Sequence, residues 1–105
     1  MLDVAFMGLH VGQLSSREDM AWCFDAITSN SATIMHLEDY GISVGSKANF
    51  NLLQAKNTIE AIRLRAHRLA VVRSGKLIAG NTPLNTELHI QGRPHFVDPA
   101  SYAPN

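Results

Sequence analysis

Residues Asn30 to Leu53 read NSATIMHLEDYGISVGSKANFNLL, and the organisation of the chain turns on them. Asn30 is suited to cap a short helix over 31–37, because its side-chain oxygen can accept from a free N–H of the first turn. That helix is expected to stop by Gly41, which tolerates the left-handed conformation. Polar turns follow at Glu38-Asp39-Tyr40-Gly41 and Gly45-Ser46-Lys47, and a strand is expected over 48–54, with Phe50 and Leu52 on one side and Asn49, Asn51 and Leu53 on the other.

Upstream, residues 2–14 read as a helix with Asp3 at the positive end of its dipole. Its apolar positions fall on nearly the whole circumference, as in a helix buried on several sides, and Gly8 and Gly12 leave a groove for close approach. Ser15 and Glu18 have capping-box spacing and predict a helix over 16–28. Met20, Cys23, Phe24 and Ile27 form its apolar stripe, and Trp22 is read with Cys23 as a packing residue.

Downstream, Asn57 and Glu60 repeat the capping pattern before a helix over 58–65. Two β-rich runs, 69–73 and 76–79, flank Ser74-Gly75 as a hairpin, and 86–90 is a further strand candidate. The predicted fold class is α+β, with a helical N-terminal half and a small β-sheet in the C-terminal half. One compact domain is expected over 1–90, helical over 1–40 and mostly β over 41–90, with an irregular tail over 91–105.

With 105 residues, 46% hydrophobic and 17% charged, the chain has the composition of one folded domain. Nine basic and nine acidic side chains cancel, so no net field draws it to nucleic acid or an anionic membrane. The basic run of Arg63, Arg65, His67, Arg68, Arg73 and Lys76 lacks interleaved aromatic residues for base stacking. A single cysteine, Cys23, excludes an internal disulfide, and no apolar run is long enough for a membrane span. A cytoplasmic location is the expectation.

Thr28, Asn30, Ala32, Gly41, Ile42, Gly45, Ala48 and Asn49 together resemble the C-terminal part of the amidohydrolase superfamily, where a T-x-N-x-A helix leads through a glycine-containing loop into a strand of a small β-sandwich. The likeness to bacterial cytosine deaminases extends through Met7-Gly8-Leu9-His10-Val11, Asp39-Tyr40-Gly41, Ala61-Ile62-Arg63 and Gly75-Lys76-Leu77-Ile78-Ala79, covering 1–90. The resemblance implies that the first helix is the last helix of a (β/α)8 barrel and that the strands belong to a partial β-sandwich. It also implies a parent reaction, hydrolytic deamination of cytosine or a related base on iron or zinc.

In that family the metal is held by an early H-x-H motif, later single histidines and an aspartate ending the last barrel strand. The five histidines here, His10, His36, His67, His89 and His95, form neither H-x-H nor an i, i+4 pair, and the resemblance places the aspartate just before Met1. Asp3 is read as a helix N-terminal carboxylate and His10 as a packing histidine. No catalytic, cofactor-binding or metal residue is therefore assigned, and no cofactor is expected for this chain. The sequence also lacks a G-x-S-x-G elbow and the glycine-rich phosphate-binding motifs. The expectation is a structural segment of a cytosine-deaminase-like enzyme, inactive alone, partnered by the missing barrel portion or by itself as a homo-oligomer. The other reading is a small non-catalytic interaction module.

Overall fold

The computed structural model describes residues 1–93 and 96–97. The order is α1 (Leu2–Val11), α2 (Arg17–Ile27), α3 (Ser29–Ile34), β1 (Phe50–Leu53), α4 (Thr58–Arg63), β2 (Arg68–Arg73), β3 (Lys76–Gly80), β4 (Thr86–Glu87) and β5 (Phe96–Val97). The chain is α+β: helices fill the first third, and β1, β2 and β3 form a three-stranded antiparallel sheet in that order. β4 and β5 make a separate two-stranded pair, so two residues of the segment expected to be irregular are paired as a strand.

The helix starts show where local chemistry decides. The capping box at α2 uses Ser16 and Asp19, one residue beyond the expected pair: Ser16 Oγ accepts from Asp19 N at 3.0 Å, and Asp19 Oδ2 accepts from Ser16 N at 3.4 Å. At α4, Asn57 Oδ1 accepts from Glu60 N at 2.9 Å, as the spacing predicts. The Glu60 side chain turns instead to Arg63, at 3.0 Å, which satisfies a carboxylate that is buried. Asn30 does not cap α3. That helix begins earlier, at Ser29, with Thr28 at the junction donating its hydroxyl to Phe24 O at 2.7 Å.

Three helices end alike, and none uses glycine as the left-handed residue. Gln13 (φ 53°), His36 (φ 54°) and Arg65 (φ 48°) take that role. In each case the next residue reaches back into the last turn: Leu14 N to Leu9 O, Leu37 N to Ala32 O, and Ala66 N to Ala61 O, each at 2.9 Å. This is the Schellman pattern, whose paired bonds satisfy orphan carbonyls and offset the roughly 1–2 kcal/mol cost of a left-handed L-residue. α1 accordingly stops at Val11, short of Leu14, and α3 ends well before Gly41, at Ile34.

The core is where α4 meets the first two helices. Leu2, Ala5 and Leu9 of α1, Cys23 of α2, and Ala61, Ile62 and Ala66 around α4 form one buried cluster. Ile62, at 0% exposure, is its only fully buried large side chain among the described residues. Met20, Phe24 and Ile27 pack against it, as their spacing predicts, whereas Trp22 faces solvent. Among the described residues, only Leu53 and Ala55 reach this cluster from the β side.

The sheet is held by a tight hairpin. Ser74 (φ 50°) and Gly75 (φ 74°) both have positive φ, the type I′ geometry that matches strand twist. The A-N pair of the deciding stretch grips this turn: Ala48 O accepts from Gly75 N at 3.1 Å, and Asn49 Oδ1 accepts from Ser74 N at 2.8 Å. β1 then pairs with β2 from Phe50↔Val72 to Leu53↔Arg68, with an irregularity between Leu52 and Leu53.

The radius of gyration is 16.1 Å, against about 13 Å for a compact domain of this length. The accessible surface is 8159 Å², against about 5,800 Å² for a compact monomer of 11.5 kDa.

Two outcomes follow from this packing. Ile62→Ala should lower unfolding stability by about 2–5 kcal/mol, read as a shifted denaturant midpoint with helical circular dichroism as the probe. Gly75→Val should cost about 1–3 kcal/mol through backbone strain alone, since a Cβ there meets nothing within 4 Å. An unchanged midpoint for Gly75→Val would show that the turn does not limit stability.

Candidate functional site

The histidines are dispersed. His10 Nδ1 lies 2.8 Å from Phe6 O, and its ring sits against the Phe6 ring at 4.4 Å between centroids. The Arg65 guanidinium lies over the same Phe6 ring at 4.9 Å, so His10 belongs to a packing cluster joining α1 to the end of α4. His36 provides the left-handed end of α3, and His89 pairs with Glu87 at 3.3 Å. His95 lies outside the described residues. Among the described residues, no three of His, Cys, Asp and Glu converge in a way that could hold a metal ion. Cys23 is free and buried. Arg63 and Arg65 of the basic run are drawn into contacts with Glu60 and Phe6.

What the fold does present is apolar surface in ordered positions. On α1 one face is buried through Leu2, Ala5 and Leu9, while Val4, Met7 and Val11 on the opposite face stand open. Gly8 and Asp3 share this open face. The expectation of a helix buried on several sides is thus met on one side only. A second exposed group lies along the deciding stretch: Ile42 and Val44 are fully exposed, and Leu37, Tyr40, Phe50 and Leu52 are also open.

That stretch is nevertheless anchored at both ends. Leu37 is tied to Ala32 by the helix-terminating bond, and Asn49 grips the hairpin turn. Just beyond β1, Gln54 makes a two-bond clasp on the backbone of Leu84: Nε2 donates to Leu84 O, and Oε1 accepts from Leu84 N, both at 2.9 Å. The ends of the loop between Leu37 and Asn49 are thus fixed by hydrogen bonds. No helix among the described residues is long and apolar enough to cross a membrane.

Comparisons with known proteins agree with this architecture. The Amidohydrolase family model matches residues 1–84. N-isopropylammelide isopropyl amidohydrolase of Pseudomonas sp. (strain ADP) is 34% identical over 67 residues, which are 63% of this chain and 17% of that protein. The crystal structure of 5-methylcytosine deaminase from Klebsiella pneumoniae liganded with 5-fluorocytosine superposes with a TM-score of 0.76 at 34% identity, covering 83% of this chain and 21% of that one. The same enzyme liganded with phosphonocytosine gives a TM-score of 0.71 at 36% identity, covering 86% and 21%. The chain thus spans about a fifth of the length of these relatives. It belongs to the amidohydrolase family and corresponds to a segment of a cytosine-deaminase-like member of it.

Proposed function

We propose that this chain is the C-terminal structural segment of a metal-dependent, cytoplasmic, cytosine-deaminase-like amidohydrolase, with α1 as the last barrel helix and β1, β2 and β3 completing a small β-sandwich. Its contribution is to cover and brace the rest of the fold. The observation that carries this reading is the mismatch between fold and surface. The segment has an ordered core and family-like connections, yet exposes about 2,300 Å² more than a compact monomer of its mass. Surface of that extent, with Ile42, Val44, Phe50 and Leu52 in it, is what a segment covered by a larger fold would present.

The parent reaction suited to the relatives is hydrolytic deamination of cytosine or a related base, with release of ammonia. A divalent metal such as iron or zinc would supply the activated water in such an enzyme. The donor set here does not fit that metal: His10 is engaged with Phe6 and Arg65 is stacked beside it, and no group of ligating side chains converges among the described residues. Ligands and base-reading residues would come from the remainder of the enzyme, and the chain by itself would be inactive.

Two measurements test this. Purified chain incubated with cytosine should release no ammonia above a no-enzyme control; release abolished by a chelator would assign catalysis to the segment itself. After extensive dialysis, metal analysis should find far less than one zinc or iron per chain. One tightly held ion, lost on His10→Ala or His36→Ala, would overturn the structural role.

A further inference from the structure

We propose that residues 81–84 form a latched strap across one end of the sheet. The Gln54 side chain holds the strap shut, and its release opens the strap while the helical core and the three strands stay folded. The inference does not depend on the proposed enzyme.

The strap lies at the end of the sheet opposite the Ser74-Gly75 turn. It leaves β3 after Gly80, crosses the start of β2 and reaches the residue that follows β1. Asn81 fixes its first end: Asn81 N donates to Leu69 O at 2.9 Å, and Asn81 Nδ2 donates to Arg68 O at 3.0 Å. Gln54 fixes the other end through its two 2.9 Å bonds to Leu84, while Gln54 N donates to His67 O at 2.9 Å. Pro83 lies between the two ends and restricts the backbone there, so the strap is a short, stiff link. Leu84 is also the last residue of the family match, so the latch stands where that match ends.

The way the strap is held sets how it opens. Residues 81–84 are all exposed, Leu84 at 63%, and none of them belongs to the buried cluster. Opening therefore gives up polar bonds and little apolar burial, which separates a local opening from global unfolding. The two ends are unequal. Asn81 extends the ladder of β2 and β3 past the Ala70↔Gly80 pair, so its backbone bond is supported by its neighbours. The Leu84 end depends on one side chain, 30 positions away in sequence, whose rotamers must be ordered for both bonds to form. It releases first. An amide suits position 54 because it donates and accepts at once, matching the N–H and C=O of a single residue. Leucine is of similar size and can do neither.

Hydrogen exchange of single amides in the full chain, followed by NMR over a series of low denaturant concentrations, tests this. In the unaltered chain Leu84 N–H should exchange through an opening that denaturant hardly affects, because little surface is exposed by it. Ala66 N–H, bonded to Ala61 O inside the core, should exchange only through an opening that rises steeply with denaturant. Gln54→Leu should speed exchange at Leu84 by about tenfold or more, as expected for the loss of two hydrogen bonds, and leave Ala66 and the circular dichroism unchanged. The same denaturant dependence at Leu84 as at Ala66 in the unaltered chain would overturn the proposal without any variant. Unchanged exchange at Leu84 in Gln54→Leu, or an equal acceleration at Ala66, would also overturn it.

Discussion

The structure depends on the packing of α4 against both α1 and α2, with Ile62 as the fully buried large side chain at that contact. α4 is separated from those helices by more than twenty residues that contribute little to the core, so this contact ties the two halves of the chain together. Most of its companions are small. Ala5, Ala61 and Ala66 let the helices approach closely but each buries little apolar area. Ile62 is the one fully buried large side chain among the described residues, and small neighbours cannot fill the space its loss would leave.

Around that contact the chain is shaped by backbone hydrogen bonds more than by hydrophobic burial. Three helices stop on Schellman bonds, and Gln13, His36 and Arg65 carry the positive φ that such ends require. The loop after α3 is fixed at both ends, by Leu37 N on Ala32 O and by Asn49 on the hairpin turn, and Gln54 clasps the backbone of Leu84 just beyond β1. Within that loop Ile42 and Val44 stay in solvent.

The match to the amidohydrolase family covers residues 1–84, and the chain spans about a fifth of its solved relatives. It combines one buried cluster with apolar side chains that stay exposed. α1 illustrates the point, since its apolar residues divide between the face that packs on Ile62 and the face that stays open.

Much of the fold was legible in the residues themselves because it rests on short-range chemistry. The Asn57 cap, the apolar stripe of α2 and the Ser74-Gly75 hairpin each depend on residues a few positions apart, and the T-x-N-x-A and A-N elements around the deciding loop carried the family resemblance. Tertiary structure decided what spacing cannot encode. Periodicity marks Val4, Met7 and Val11 as apolar, just as it marks Leu2 and Leu9, but only the docking of α2 and α4 determines which of them is covered. The end of α3 shifted for a different, local reason: the Schellman bond from Leu37 N to Ala32 O satisfies a carbonyl of the last turn, with His36 in the left-handed position. Sequence specifies which side chains favour burial, and the placement of distant elements determines which of them achieve it.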